Sequence, residues 1–180
     1  MRIDLKNSLG IIVDYQEKLT PVIYKNEKIV NNATVLIKGL ETLKLPLIIS
    51  EQYPKGLGKT IQPIADAAKN AITLPKTAFS CWQDNKIRQA ILKTGKKDVI
   101  LCGIEAHICV LQTAIDLIAN GYHVYLVEDC IGSRTKQNKQ SAIRRAMMEG
   151  IHITTYEAIL FELLVEAGSD QFKTISNLIK

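Results

Sequence analysis

A cysteine lies where a buried strand gives way to a helix. The apolar run Val99-Ile100-Leu101-Cys102 is typical of a strand, and residues 110–118 have the spacing of an amphipathic helix. Cys109 stands between them, near the start of the helix. The backbone N–H groups there are unpaired and the helix dipole favours an anion, so we expect the thiol to ionise. The sequence therefore predicts a nucleophilic cysteine at this point.

The chain alternates short apolar strands with longer amphipathic helices, which favours an α/β fold. The predicted strands are 9–13, 47–49, 71–74, 99–102, 122–127 and 151–155. The predicted helices are 29–43, 61–68, 83–94, 106–119, 136–149, 156–167 and 170–180. We expect a loop over 52–60 and a strand end at Pro75. This pattern predicts a three-layer α/β/α sandwich with a doubly wound, six-stranded parallel sheet in the order 3-2-1-4-5-6.

Three reactive residues fall at the carboxyl ends of these strands, where open parallel sheets bind ligands. Asp14 ends the first strand, Lys76 follows the third and Cys109 follows the fourth. In the expected order the first and fourth strands are neighbours at the point where strand order reverses. The sequence thus predicts that Asp14 and Cys109 face each other across a crevice.

A chain with Asp, Lys and Cys after these three strands resembles the isochorismatase-like superfamily of cysteine hydrolases. The resemblance covers nearly the whole chain. It is carried by 12–16, 51–58, 76–80, 103–106, 129–134 and 171–173. The resemblance implies that Asp14 takes the thiol proton of Cys109 while Lys76 holds positive charge beside both. The thiolate would attack a carbonyl, most plausibly an amide, and leave a thioester that water hydrolyses.

The resemblance also implies an oxyanion hole made of backbone N–H groups. One belongs to Cys109 and the other lies four residues earlier, beside a cis peptide bond, which here is Ile104-Glu105. The residues expected to contact substrate surround the triad, with Gln52 the best of them. They are Gln16, Gln52, Tyr53, Phe79 and Trp82. For Phe79 and Trp82, packing is an equally good interpretation.

The other cysteines and the histidines have simpler interpretations. Cys102 and Cys130 are expected to be structural, and Cys81 either packs or lines the pocket wall. His107 is two residues from Cys109 on the predicted helix, so the two point to different sides and form no dyad.

No cofactor or metal is expected. Gly58-Lys59-Thr60 lacks the earlier glycine of a phosphate loop, and no strand is followed by a GxGxxG motif. Nicotinamidase relatives carry an Asp-x-His metal motif after the second strand, and this chain has Glu51-Gln52-Tyr53 there instead.

Bulk properties indicate one domain over 1–180 in the cytoplasm, without a membrane span. The formal charge of +5 does not establish nucleic-acid binding. We expect a small-molecule substrate and, because the late helices are too apolar for a free surface, a homo-oligomer. Two alternatives stay open: a catalytically silent scaffold, and an RNA-processing protein that uses the basic stretch 134–145.

Overall fold

A computed structural model describes residues 2–180 and contains one six-stranded sheet. All neighbouring strands are parallel, in the order β3-β2-β1-β4-β5-β6. The strands are β1 Ser8–Val13, β2 Leu47–Gln52, β3 Ile72–Lys76, β4 Asp98–Ile104, β5 His123–Gly132 and β6 His152–Thr154. The predicted fold class and strand order are confirmed.

Residues 2–180 contain eight α-helices, and all of them except the second, a single turn, pack on the two faces of this sheet. They are α1 Asn26–Thr42, α2 Pro54–Leu57, α3 Gln62–Ala67, α4 Asn85–Thr94, α5 Leu111–Ala119, α6 Lys136–Met148, α7 Tyr156–Leu164 and α8 Asp170–Ile179. One hydrophobic cluster joins the sheet to α1, α3, α7 and α8, and a second joins it to α4, α5 and α6. The central strands β1 and β4 are therefore buried on both sides, which leaves their ends free to form a site.

Polar side chains fix where several helices begin. Asp84, Thr135, Thr155 and Ser169 each accept a hydrogen bond from a backbone N–H in the first turn of α4, α6, α7 and α8. Gly95 ends α4 in the left-handed conformation that glycine adopts without steric cost. These local signals explain why the predicted helix starts are accurate to within a few residues.

Two predicted boundaries in the second and third strands are wrong. Pro75 lies inside β3, opposite Glu51, instead of ending the strand. It is tolerated because β3 is at the edge of the sheet, where an absent N–H leaves no partner unsatisfied. The expected loop 52–60 also contains the single-turn helix α2.

The predicted helix 156–167 is shorter than expected. Val165 has a φ of 67°, which ends α7 at Leu164. Ile159 and Leu160 are buried in the core, whereas Val165 is exposed. Among residues 2–180, no helix combines the length and the apolar character needed to cross a bilayer.

The connection after β4 departs from a regular helix. Residues Ala106–Val110 form a single π-helical turn before α5 begins at Leu111. The amide of Val110 donates to the carbonyl of Glu105 at 3.3 Å, five residues back. This type of turn is rare and is found mostly at functional sites. The expected continuous helix 106–119 is thus two elements, with Cys109 in the first.

Candidate active site

Asp14 follows β1 directly and lies between two neighbouring strands. Register places Val13 opposite Ser50 of β2 on one side and opposite Gly103 of β4 on the other. Asp14 is fully buried, with a φ of 54° that is uncommon for a residue other than glycine. Its Oδ1 accepts a hydrogen bond from Ser50 Oγ at 2.7 Å, so β2 holds one oxygen of the carboxylate.

Lys76 ends β3 and points its ammonium at the same carboxylate. Nζ lies 2.7 Å from Asp14 Oδ2, 2.7 Å from Gln52 Oε1 and 3.1 Å from the carbonyl oxygen of Phe79. The three protons of the ammonium are therefore all donated within the protein. Lys76 thus fixes the orientation of Asp14 and supplies charge, and keeps no proton for a ligand.

The Cys109 thiol reaches Asp14 from the π-helical turn. The charge of the Asp14 carboxylate acts on this side chain and raises the pKa of the thiol, so the two groups lie close together. The carbonyl oxygen of Cys109 accepts a hydrogen bond from Thr113 Oγ1 at 2.7 Å, which ties the turn to α5. Exposed fractions are 0% for Asp14, 2% for Lys76 and 6% for Cys109. The structure brings the three predicted side chains together, and the sulfur side of the group is the part nearest to solvent.

The expectation that Cys109 ionises readily is wrong for this resting arrangement. Burial raises the pKa of the thiol to about 12, from an ordinary 9.0, and the negative charge of Asp14 adds to the rise. Lys76 opposes this shift but does not cancel it. Cys109 is therefore a neutral thiol at pH 7, close to the carboxylate that can take its proton.

The charges of Asp14 and Lys76 depend on each other. Burial raises the pKa of Asp14, and the ammonium of Lys76 opposes that rise. For Lys76, burial is the largest effect and favours the neutral amine, but the charges of Asp14, Cys81 and Cys109 and the hydrogen bond to Asp14 together outweigh it, and the net pKa is raised. A carboxylate with a raised pKa is a better proton acceptor, which suits a general base.

Gly103 allows β4 to approach β1 beside Asp14. Its φ is 141°, and a Cβ placed there would lie 2.3 Å from the carbonyl oxygen of Val13. The next peptide bond but one, Ile104-Glu105, is cis, as the family resemblance implies. The Glu105 carboxylate forms an ion pair with Arg134, with Oε1 3.0 Å from Nε. These contacts hold the backbone between β4 and the π-helical turn.

Two of the predicted substrate contacts are occupied within the protein. The Gln16 side chain is fully buried, and its Oε1 accepts from the Gln52 amide at 2.7 Å. Its Nε2 donates to the carbonyls of Gln52 and Gly58. Gln52 in turn bonds Lys76 through Oε1 and the Thr77 carbonyl through Nε2. Both glutamines therefore position loops and Lys76 in this structure.

The three predicted aromatic contacts have different surroundings. Tyr53 and Phe79 are more than half exposed, at 55% and 54%. The Tyr53 amide donates to the carbonyl of Lys76, and the Phe79 carbonyl accepts from the Lys76 ammonium. Trp82 instead packs edge-to-face on Tyr122, with ring centroids 5.4 Å apart. Because Tyr122 precedes β5, this contact lies toward the amino ends of the strands, away from the triad.

The other cysteines and His107 lie where the sequence interpretation put them. Cys81, Cys102 and Cys130 are buried as free thiols. His107 Nδ1 lies 3.0 Å from Ser133 Oγ, which leaves it outside the triad. Within residues 2–180, no three His, Cys, Asp or Glu side chains are grouped closely enough to hold a metal ion.

Sequence reasoning missed two hydroxyl groups that organise the site. Ser50 holds Asp14, and Thr113 Oγ1 accepts from the Cys81 amide at 2.9 Å while donating to the Cys109 carbonyl. The position of Ser50 could have indicated its role. It directly follows the apolar run 47–49, in the strand that is expected to pair with the first strand. No comparable signal marks Thr113, because its role depends on how the loop after β3 packs on α5.

Comparison with known proteins agrees with this architecture. Residues 8–158 match the family model described as "Isochorismatase domain". The chain is 35% identical over 179 residues to isochorismatase domain-containing protein 2 of Danio rerio, covering 99% of this chain and 89% of that one. It is also 37% identical over 173 residues to isochorismatase domain-containing protein 1 of the same species, covering 96% of this chain and 61% of that protein.

A solved structure resembles the chain over its whole length. This is the "MAR1 Ribonuclease" of Caenorhabditis elegans, with a TM-score of 0.93 and 35% sequence identity over 99% of this chain and 92% of that one. Fold and sequence together define a three-layer α/β/α protein built on an isochorismatase domain. The chain belongs to the isochorismatase family.

Proposed function

We propose that this protein is a cysteine hydrolase that cleaves the C–N bond of a small amide through a thioester on Cys109. One observation carries the proposal. The Cys109 thiol lies within electrostatic reach of the Asp14 carboxylate, whose two oxygens are held by Lys76 and Ser50. A base that is oriented by other groups and placed beside a potential nucleophile is the arrangement that covalent catalysis needs.

The reaction begins with proton transfer. As the sulfur of Cys109 attacks the amide carbonyl carbon, Asp14 takes the thiol proton. The carbonyl oxygen becomes an oxyanion, and the backbone N–H groups of Glu105 and Cys109 are assigned to stabilise it. When the C–N bond breaks, Asp14 returns the proton to the departing nitrogen, which leaves as an amine or ammonia. The acyl group stays on sulfur as a thioester.

Hydrolysis of the thioester uses the same groups in reverse. Water attacks the acyl carbon and gives one proton to Asp14, which passes it to the departing sulfur of Cys109. The product is a carboxylic acid and the thiol is restored. Lys76 keeps its positive charge throughout, because its three protons stay bonded to Asp14, Gln52 and the Phe79 carbonyl.

A neutral resting thiol suits this cycle. With a pKa of about 12, Cys109 is protonated until a substrate carbonyl is present and Asp14 removes the proton during attack. A thiolate of high pKa is also intrinsically the stronger nucleophile. The small exposed fraction of Cys109 favours a compact substrate, and the exposed side chains of Tyr53 and Phe79 are available to contact it.

The proposal is tested with a panel of small amides and ureas, measuring released ammonia. Cys109→Ala is expected to abolish turnover of every substrate that the wild type accepts. Cys102→Ala is the matched control, because it removes another buried thiol in β4 and should leave turnover intact. Full activity in Cys109→Ala would contradict the assignment of Cys109 as the nucleophile. No substrate at all in the panel would contradict the proposal and favour a silent scaffold.

RNA processing is the second candidate, because the Caenorhabditis elegans relative bears the name of a ribonuclease. The basic stretch 134–145 offers it little support, since its residues face different ways. Arg134 is paired with Glu105, Arg145 with Glu149, and Lys136 and Lys139 line a separate cavity. RNA cleavage that survives Cys109→Ala but weakens steeply with salt would favour this candidate.

We also propose that the protein self-associates through its late helices. Phe161 of α7 stays 38% exposed while it packs on Phe172 of α8, and Val165 beside them is 67% exposed. Contiguous exposed apolar groups of this kind mark association surfaces. Light scattering of the wild type against Phe161→Glu tests this, and an unchanged mass would contradict it.

A further inference from the structure

A cavity of about 370 Å³ lies between the first turns of α1 and α6, at the carboxyl end of β5. Four lysines dominate its lining: Lys25, Lys28, Lys136 and Lys139. The rest of the lining combines two carboxylates with apolar and small polar groups. These are Tyr24, Ile29, Asn32, Glu128, Asp129, Ser133, Thr135, Gln140 and Ile143.

The charges around this cavity do not balance. Four ammonium groups face two carboxylates, and one of these carboxylates has a structural role. Asp129 Oδ1 accepts the amide of Tyr156 at 2.9 Å at the start of α7. The salt bridges found among residues 2–180 include none of the four lysines. The formal charges of the lining therefore sum to about +2, and the Lys25 ammonium also lies 5.5 Å from the centroid of the Tyr24 ring.

Lys139 is the least exposed of the four lysines. Burial lowers the pKa of its ammonium, and the positive charge of Lys28 across the cavity adds to the effect. Glu128 and Asp129 oppose the shift without cancelling it. A bound anion would restore a favourable environment for the charge on Lys139.

We propose that this cavity binds a small phosphate monoester, with the phosphate dianion among the four lysines. Lysine acts as a point charge that suits phosphate, and no arginine lines the cavity to grip a carboxylate in bidentate fashion. Tyr24, Ile29 and Ile143 form an apolar wall for the organic part of the ligand. The volume fits a ring or short chain together with one phosphate.

The proposed site is separate from the triad. None of Asp14, Lys76 and Cys109 lines the cavity. The link between the two is Ser133, which lines the cavity and whose Oγ lies 3.0 Å from His107 in the π-helical turn. Binding is therefore expected to leave the thiol accessible, and Cys109→Ala should bind the phosphate ester as the wild type does.

Titration calorimetry with phenyl phosphate tests the proposal, with inorganic phosphate, benzoate and phenol as comparison ligands. Lys28→Gln with Lys139→Gln removes two charges from the cavity. Lys38→Gln with Lys93→Gln removes two charges from exposed positions on α1 and α4 and is the matched control. Thermal unfolding confirms that both double variants fold, and Lys28→Gln alone provides a milder change.

Phenyl phosphate is expected to bind more tightly than benzoate or inorganic phosphate, and phenol not at all. Its affinity should fall about tenfold or more in the cavity variant, and less than about twofold in the control. Several results would overturn the proposal: no binding of phenyl phosphate, equal binding of benzoate, or equal losses in the two double variants. Loss of binding in Cys109→Ala would place the ligand at the triad instead and would also overturn it.

Discussion

Replacing Asp14 by asparagine is expected to change two properties of Cys109 in opposite directions. Alkylation of the thiol should become faster, because the negative charge that opposes its ionisation is gone while Lys76 remains beside it. Hydrolysis should become slower, because no base is left to take the thiol proton. A site in which Asp14 only supports the fold would show neither the gain nor the selective loss.

The size of the effect follows from the pKa of the thiol. At pH 7 a pKa of about 12 leaves about 1 thiolate in 100,000, against about 1 in 100 for the ordinary value of 9.0. The higher intrinsic nucleophilicity of the more basic thiolate recovers a factor of about 15 to 30. Wild-type Cys109 should thus react about 30- to 60-fold more slowly than an unperturbed cysteine. Asp14→Asn should recover part of that factor and lose about 100-fold or more in turnover.

Iodoacetamide labelling followed by peptide mass mapping measures the first property, and ammonia release measures the second. Asp98→Asn is the matched control, since Asp98 is a buried carboxylate at the opposite end of β4, bonded to His123. It should change neither property beyond a small loss of stability. The reasoning is refuted if Asp14→Asn is labelled no faster than the wild type, or if it keeps its turnover.

Three further predictions use other parts of the site. Ser50→Ala removes a charge-assisted hydrogen bond to Asp14 and should cost about tenfold in kcat, whereas Ser8→Ala, a buried serine at the opposite end of β1, should spare kcat. Gly103→Ala forces a Cβ against backbone atoms and should lower the free energy of unfolding, measured by chemical denaturation, by about 3 kcal/mol or more. In the control Gly95→Ala the new Cβ meets open space, and the free energy of unfolding should fall by about 1 kcal/mol. Because burial raises the pKa of Asp14, the acid limb of kcat/KM should lie above pH 3.8, and no thiol limb should occur near pH 9. A limb near pH 9 would mean that the thiol titrates freely.

The strand order was predictable because the sequence alternates single strands with helices long enough for crossovers. That alternation favours parallel pairing of the strands, which brings the carboxyl ends of β1, β3 and β4 to the same side of the sheet. The convergence of Asp14 and Cys109 follows directly. Lys76 also belongs there, although the sequence placed it just after a strand rather than at its last position.

The pKa of Cys109 was not predictable in the same way. The sequence marks only the start of a helix, whose dipole contributes at most about 2 kcal/mol to the ionisation of a nearby group. A rise of about 3 units corresponds to about 4 kcal/mol against ionisation. The effect of burial on the pKa of Cys109 is larger than that of the helix dipole. Burial depends on how the loop after β3 packs against the π-helical turn, which the local sequence does not reveal.

The roles of Gln16 and Gln52 could be recognised only once the register of the strands was known. Gln16 and Gln52 follow strand ends, as substrate-binding residues often do, but in the structure their amides are bonded to backbone and to Lys76. Ser50 was overlooked for the converse reason. It sits in an apolar strand, and only the pairing of Val13 with Ser50 shows that its hydroxyl meets the carboxylate of the next residue, Asp14.

The covalent intermediate provides the most direct test of the mechanism. A substrate from the amide panel is mixed with the protein, quenched in acid within the first turnover and analysed by peptide mass mapping. The account predicts an acyl group on the peptide that contains Cys109, removable by hydroxylamine and absent from Cys109→Ser. Turnover with no adduct at Cys109, or an acyl group on a different side chain, would contradict it.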